Sequence, residues 1–154
     1  MSDKVDTNQA IRTHVLCAQP EELGITPAGP TWGVLMEIGY FAGTATLIAL
    51  ADGTASLLFS TGGGIAANEG QHAAHRVARE LVSAAGEFLA RASSTDRYPY
   101  PRIGRVRFYL LTTVGVRTLD AEEGALELGE HELSSLFRDG HRVITELRQI
   151  AEAR

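Results

Sequence analysis

The sequence predicts an α+β fold in which an antiparallel sheet of about five strands packs with helices into a two-layer or three-layer sandwich. Apolar runs of strand length occur in two groups, over 32–60 and over 105–120. Apolar residues recur at helical spacing between these groups and again near the C-terminal end. An Asp52-Gly53 pair also separates two of the strand-like runs, as in tight hairpins. The expected order is therefore a β-meander, a long helix, a β-hairpin and a C-terminal helix.

The composition is that of a globular chain with one buried core. The 154 residues are 44% hydrophobic and 21% charged, which is typical of neither a membrane-spanning nor a disordered chain. The net charge is −5 and the 14 Lys and Arg residues are dispersed, so we expect no nucleic-acid partner. No apolar run approaches the ~18 residues of a spanning helix and the N-terminus shows no leader pattern. With a single cysteine, Cys17, these features predict a cytoplasmic protein without a membrane partner.

Two parts of the chain differ in composition and in expected secondary structure. Residues 1–30 are expected to form an N-terminal helix, over about 3–18, followed by an arm rich in proline and glycine that suits neither helix nor sheet. Residues 31–154 are expected to form the single α+β domain. Within it, strands are predicted at 32–40, 44–51 and 54–60, with Asp52-Gly53 as a two-residue type I′ turn. Glu37 falls on the face of the first strand opposite Val34 and Met36, where it is either a buried functional carboxylate or a solvated side chain.

The second half of the predicted domain begins with the long helix. Asn68 and Gln71 resemble a capping box, so this helix is expected to start near Asn68 and to run to about Arg91. Two prolines make 93–104 a loop, and alternation over 105–113 and 116–120 predicts a hairpin, with 125–128 as a short additional edge strand. The last helix is expected to start near Glu130 or Ser134.

A glycine run precedes the predicted long helix. Backbone N–H groups of Gly62, Gly63 and Gly64, together with the start of the helix at Asn68, could hold a phosphate or carboxylate. The run lacks the lysine of a phosphate-binding loop and the spacing of a dinucleotide fingerprint. The alternative is that the glycines only permit a sharp turn.

Three potential metal ligands, Glu69, His72 and His75, follow at steps of three residues. Glu-x-x-His is a pattern that carboxylate-bridged di-iron bundles use, but those bundles need it twice and this chain has it once. The alternative is an exposed surface that includes Arg76 and Arg79.

Arginines alternate along the late hairpin. Arg105, Arg107 and Arg117, with tyrosines nearby in sequence, could bind acidic partners. Charged residues on an exposed sheet face also prevent edge-to-edge pairing, which is the alternative interpretation.

Two resemblances bear on function. The run TWGVLMEIGY through LADGTASLLFSTGGG is similar to an uncharacterised bacterial protein family, and this likeness brings no activity with it. The order of elements resembles the profilin-like and roadblock/longin sandwiches, although three strands precede the long helix here and two usually do in that group. The second resemblance implies a dimeric platform that binds other proteins.

These observations leave three functional hypotheses open. The leading one is a non-catalytic interaction or regulatory module that acts as a homodimer, without a cofactor, and that binds itself and another protein. The second is a small-ligand or anion-binding protein that uses the Gly62–Gly64 turn. The third is a metal-dependent enzyme built on His72 and His75. Fold analogy does not decide among them.

Overall fold

The computed structural model describes residues 3–153, with side chains from Thr7 onward. The predicted α+β class is confirmed, since one antiparallel sheet of seven strands packs with four α-helices. The elements, in chain order, are α1 (Asp3–Cys17), β1 (Gly33–Tyr40), β2 (Gly43–Leu50), β3 (Ala55–Phe59), β4 (Gly64–Ala66), α2 (His72–Ala85), β5 (Ser93–Thr95), β6 (Arg105–Thr112), β7 (Gly115–Glu122), α3 (Glu123–Glu127) and α4 (Ser134–Glu152). Short 3-10 helices follow α1 and α2, at Pro20–Leu23 and Gly86–Arg91.

The first strand is the centre of the sheet. The strand order is β4-β3-β2-β1-β6-β7-β5, and every neighbouring pair is antiparallel. Seven of the eight residues of β1 are buried, as is usual for a strand covered on both faces. In the register, Glu37 of β1 lies between Thr46 of β2 and Arg107 of β6. These three side chains therefore share one face of the sheet.

Helices α2 and α4 cover one face and form the larger part of the core with it. Both helices place an apolar stripe against Val34, Met36 and Ile38 of β1 and their neighbours on the adjacent strands. Helix α4 approaches β1 closely at Gly140, because a Cβ there would lie 2.5 Å from the Met36 sulfur. This face fixes the sheet against two long amphipathic helices.

Helix α1 and the arm that follows it pack on the opposite face. Val15, Leu16 and Ile25 join a second apolar cluster around the buried ring of Trp32. The molecule therefore has three layers, α2 and α4, the sheet, and α1 with the arm. The sheet residues under the third layer change from apolar near Trp32 to polar near Glu37.

The structure corrects three details of the predicted strands. The sheet has two further strands, β4 and β5, of three residues each, which are too short to show an alternating pattern. The segment expected as an edge strand at 125–128 belongs to α3 and the residue after it. The hairpin at Asp52-Gly53 is present, but its turn is not type I′, because within 3–153 every residue with a positive φ is a glycine and Asp52 therefore has a negative one.

The predicted helices are present, and α1 over Asp3–Cys17 and the start of α4 at Ser134 agree with the predicted bounds. Helix α2 begins at His72, after the predicted Asn68, and ends at Ala85, where the 3-10 helix to Arg91 follows. Over the described part of the chain, each helix is too short or too polar to cross a membrane.

Candidate functional site

A buried ion pair joins α1 to the centre of the sheet. Arg12 Nε donates to Glu37 Oε2 at 2.6 Å and Arg12 Nη2 donates to Glu37 Oε1 at 2.8 Å. The hydroxyl of Thr46 donates to Glu37 Oε2 at 2.6 Å. Glu37 is fully buried and Arg12 is 8% exposed. Both carboxylate oxygens are therefore occupied, in the bidentate geometry that fixes an arginine most firmly.

The same arginine also holds the loop before β6. Its Nη2 donates to the carbonyl of Tyr98 at 2.7 Å, and its guanidinium lies 4.2 Å from the centre of the Tyr100 ring. Burial alone would lower the pKa of Arg12, but the hydrogen bond and charge of Glu37 raise it above the ordinary value. Arg12 is thus a permanent cation that ties α1, β1 and the tyrosine-proline loop together.

A polar groove continues from this cluster along the sheet. Its floor is formed by side chains of β5, β6 and β7 that the register places on the α1 side, and Arg97 and Pro99 of the loop form its wall. We call it the arginine groove. It has a volume of about 320 Å³ and is lined by Ser93, Thr95, Arg97, Pro99, Arg107, Tyr109, Thr118, Leu119 and Asp120.

Positive charge exceeds negative charge around the groove. Arg105 and Arg107 share one carboxylate, Asp120, at 3.3 and 3.7 Å. Arg97 has no ion-pair partner among the side chains of residues 7–153. The groove is therefore lined by two guanidinium groups and one carboxylate, in a chain whose net charge is −5.

An apolar surface lies at the end of the sheet where β1 stops. Phe41, in the turn between β1 and β2, is 94% exposed and Ile103 is 65% exposed. The N–H of Gly104 donates to the carbonyl of Gly39 at 2.9 Å, so Ile103 belongs to the same end of the sheet as the turn that carries Phe41. Tyr40, 44% exposed, completes what we call the Phe41 surface.

Charged residues border the Phe41 surface. Burial raises the pKa of Tyr40, the charges of Glu123 and Glu127 raise it further, and Arg148 lowers it, so all three charges lie near this tyrosine. Burial and the charge of Glu127 also raise the pKa of Glu123. Neither glutamate nor Arg148 has an ion-pair partner in the portion that the structure describes.

The glycine run predicted as an anion site forms the turn between β3 and β4. Gly62 and Gly63 have positive φ and Gly64 begins β4. The N–H of Gly62 donates to the carbonyl of Phe59, and the Asn8 side-chain amide donates to the carbonyl of Gly63 at 2.9 Å. Asn68 lies beyond β4, where its N–H donates to Gln71 Oε1 at 2.6 Å. Strand β4 thus separates the turn from α2 along the chain, and anion binding there stays a prediction.

The predicted metal ligands are distributed around the start of α2. Glu69 and His72 are exposed, whereas the two ring nitrogens of His75 lie 2.9 Å from the carbonyl oxygens of Gly53 and Asn68. His75 therefore fastens the β2–β3 turn to the start of the helix. In the described region, no group of three or more His, Cys, Asp or Glu side chains is arranged to hold a metal ion.

The predicted arginine surface is divided between the two faces. Arg105 and Arg107 lie beside the groove, but Arg117 lies on the α2 side, where its Nη1 donates to the carbonyl of Ala92 at 3.2 Å. Arg12, Arg97 and Asp120 were not singled out by the sequence. A lone Arg12 on a mostly polar helix gives no sign that Glu37 is its partner.

No protein-family model, curated protein sequence or solved structure matches this chain. Its function is therefore inferred from the geometry of its own side chains.

Proposed function

We propose that this chain is a non-catalytic interaction module that assembles as a homodimer through the Phe41 surface. The observation that carries the proposal is the almost complete exposure of Phe41, at 94%, at the same end of the sheet as Ile103, which is 65% exposed. Single exposed apolar residues are ordinary, but several large ones at one end of a sheet are typical of interaction sites. The proposed partner is a second copy of the chain.

The charges around the surface favour a second copy. Glu123 and Glu127 lie on the α3 side of Tyr40, and Arg148 reaches the same tyrosine from α4. A two-fold axis through Phe41 brings the acidic side of one copy against the basic side of the other, since an isologous interface pairs each patch with its counterpart. Opposite charges at the rim then select this orientation.

The remaining expectations agree with this proposal. The resemblance to roadblock/longin sandwiches implies dimeric platforms, although here four strands, rather than two, precede α2. A cytoplasmic location is part of the same proposal and is supported by the single cysteine, which cannot form an intramolecular disulfide. The Phe41 surface and the arginine groove have no residue in common, so a dimer joined at the Phe41 surface uses none of the groove residues.

The test is the mass in solution of the protein and of a Phe41→Ser variant. Size-exclusion chromatography with light scattering should give twice 16.5 kDa for the wild type and a shift toward 16.5 kDa for the variant. The matched control is Val114→Ser, because Val114 is 90% exposed at the opposite end of the sheet. Both side chains are exposed, so neither change should lower the melting temperature. A monomeric wild type at all concentrations, or a variant that dimerises like the wild type, would falsify the proposal.

A further inference from the structure

We propose that the arginine groove binds a small molecule through its carboxylate or phosphate oxygens. The groove is the part of the α1-side sheet face that α1 and the arm leave open. Ser93, Thr118 and Tyr109 are cross-strand neighbours on its floor, and Asp120 is the neighbour of Arg107. Its lining is thus mostly polar, in contrast to the apolar cluster that α1 covers on the same face.

The charge balance of the groove points to an anion. Asp120 accepts from Arg105 and lies 3.7 Å from Arg107, whereas Arg97 has no acidic ion-pair partner among residues 7–153. The lining therefore carries two positive charges, Arg97 and Arg107, and one negative charge, Asp120, an excess of one in a chain that is acidic overall. Such a local excess attracts anions, and guanidinium groups bind carboxylate and phosphate through paired hydrogen bonds.

One of these cations, Arg107, is held in place before any ligand arrives. Arg107 Nη1 donates to the carbonyl of Pro99 at 3.1 Å, and the same oxygen accepts from the Tyr109 hydroxyl at 2.6 Å. Burial raises the pKa of Tyr109, so its hydroxyl keeps the proton that it donates. The Thr95 hydroxyl fixes only the backbone of Arg97, since it donates to the carbonyl at 2.8 Å and accepts from the N–H at 3.1 Å, and the Arg97 side chain is exposed. Fixed donors lose less entropy on binding than free ones.

The size of the groove decides the class of ligand. A volume of about 320 Å³ is at the lower end of small-molecule sites. A neighbouring depression of about 460 Å³ shares Thr95 and Arg97 with it and is also lined by Asp96 and Arg117. A ligand with two anionic groups can therefore reach Arg107 with one group and Arg97 with the other. The carboxylate and the phosphate form of this ligand share one chemistry and are separated by the test.

The test is a titration of the isotope-labelled full chain with sodium phosphate and, separately, with sodium malonate, followed by NMR. Ionic strength is held constant with sodium chloride. We expect saturable shifts at 93–97, 107–109 and 118–120 with at least one probe. A response to phosphate alone identifies a phosphorylated ligand, a response to malonate alone identifies a carboxylate ligand, and a response to both supports the proposal in its general form.

Variants decide whether the shifts come from the groove. Arg97→Gln should weaken binding by about tenfold or more, the usual effect of losing a charge-assisted hydrogen bond. Arg97 is suitable for substitution because its side chain is exposed and forms no ion pair with any side chain among residues 7–153. The control is Arg142→Gln, an exposed arginine that pairs with Glu80 at 3.3 Å on the helix side and should not affect binding. The proposal is overturned if neither probe gives saturable shifts, or if Arg97→Gln binds as tightly as the wild type.

Discussion

Arg12 and Glu37 form an ion pair in which both members are withdrawn from water. Removing one partner leaves the other buried and uncompensated, which costs far more than the intact pair contributes. We expect Arg12→Met to lower the free energy of unfolding by about 3–5 kcal/mol, because Glu37 has no exposed surface. Urea denaturation measures this change.

The matched control for that prediction removes both charges. Arg12→Met with Glu37→Leu should restore a free energy of unfolding within about 1 kcal/mol of the wild type, since buried pairs are often replaced by apolar side chains at little cost. A single variant as stable as the wild type would show that water reaches Glu37 and that the pair is not sealed.

His141 gives a pH dependence that can be assigned to one residue. Burial lowers its pKa, Arg148 lowers it further, and Glu127 opposes both. Its Nε2 is buried without a hydrogen-bond partner among the described groups. Because the unfolded chain then binds the proton more readily, this residue reduces stability progressively as the pH falls below its ordinary value of 6.5.

The measurement compares the wild type with His141→Gln between pH 7.5 and 5. The free energy of unfolding of the wild type should fall relative to the variant as the solution is acidified. The raised pKa values of Glu123 and Asp139 act in the opposite direction, but they are present in both proteins and cancel in the difference. A constant difference across this range would contradict the assignment.

The loop before β6 depends on one glycine of β1. A Cβ at Gly39 would overlap the backbone carbonyl of Arg102, and a backbone atom cannot move aside as a flexible side chain can. Gly39→Ala should therefore lower the free energy of unfolding by about 1–3 kcal/mol, as overpacking does. The control is Gly124→Ala in α3, where a Cβ meets nothing within 4 Å and helix propensity favours alanine. Equal melting temperatures for the two variants would refute the close contact.

At the scale of elements, the sequence predicts what local chemistry determines. Asp52-Gly53 indicates a hairpin, and Gly53 does adopt a positive φ of 95° while the Thr54 N–H donates to Asp52 Oδ1. The predicted type I′ turn is wrong because the loop includes Ala51 as well as Asp52 and Gly53. A loop longer than two residues needs a positive φ at only one position. Strands β4 and β5 were missed since each depends on its neighbour, β3 or β7, rather than on its own three residues.

The two helical layers of the molecule pack on the sheet through apolar contacts of different extent. The layer of α2 and α4 shares a large apolar core with the sheet, whereas α1 buries Arg12, Val15 and Leu16 and exposes most of its other described side chains. We expect α1 to open locally without global unfolding. Hydrogen exchange should therefore be faster in peptides from 3–17 than in peptides from β1 or α2. Equal protection of the two would show that α1 unfolds only with the whole domain.

The sequence predicts the candidate sites only in part, because their residues are brought together by the packing of the whole molecule. Arg105 and Arg107 were predicted to share a surface, because alternation along one strand places them on the same face. Their relation to Asp120 and Arg97 depends on the pairing of β6 with β7 and on the path of a loop, which no local pattern specifies. Arg117 has the same residue type and lies on the other face, since it belongs to a different strand whose register the sequence does not reveal.

The central position of β1 has a consequence for synthesis of the chain. β1 pairs with β2 almost at once, but its second neighbour begins only at Arg105. At about 5–20 residues per second, the ribosome needs several seconds to supply that strand. Throughout this interval a nascent chain, or any product truncated before Arg105, displays the unpaired edge of an apolar strand, which recruits chaperones or aggregates.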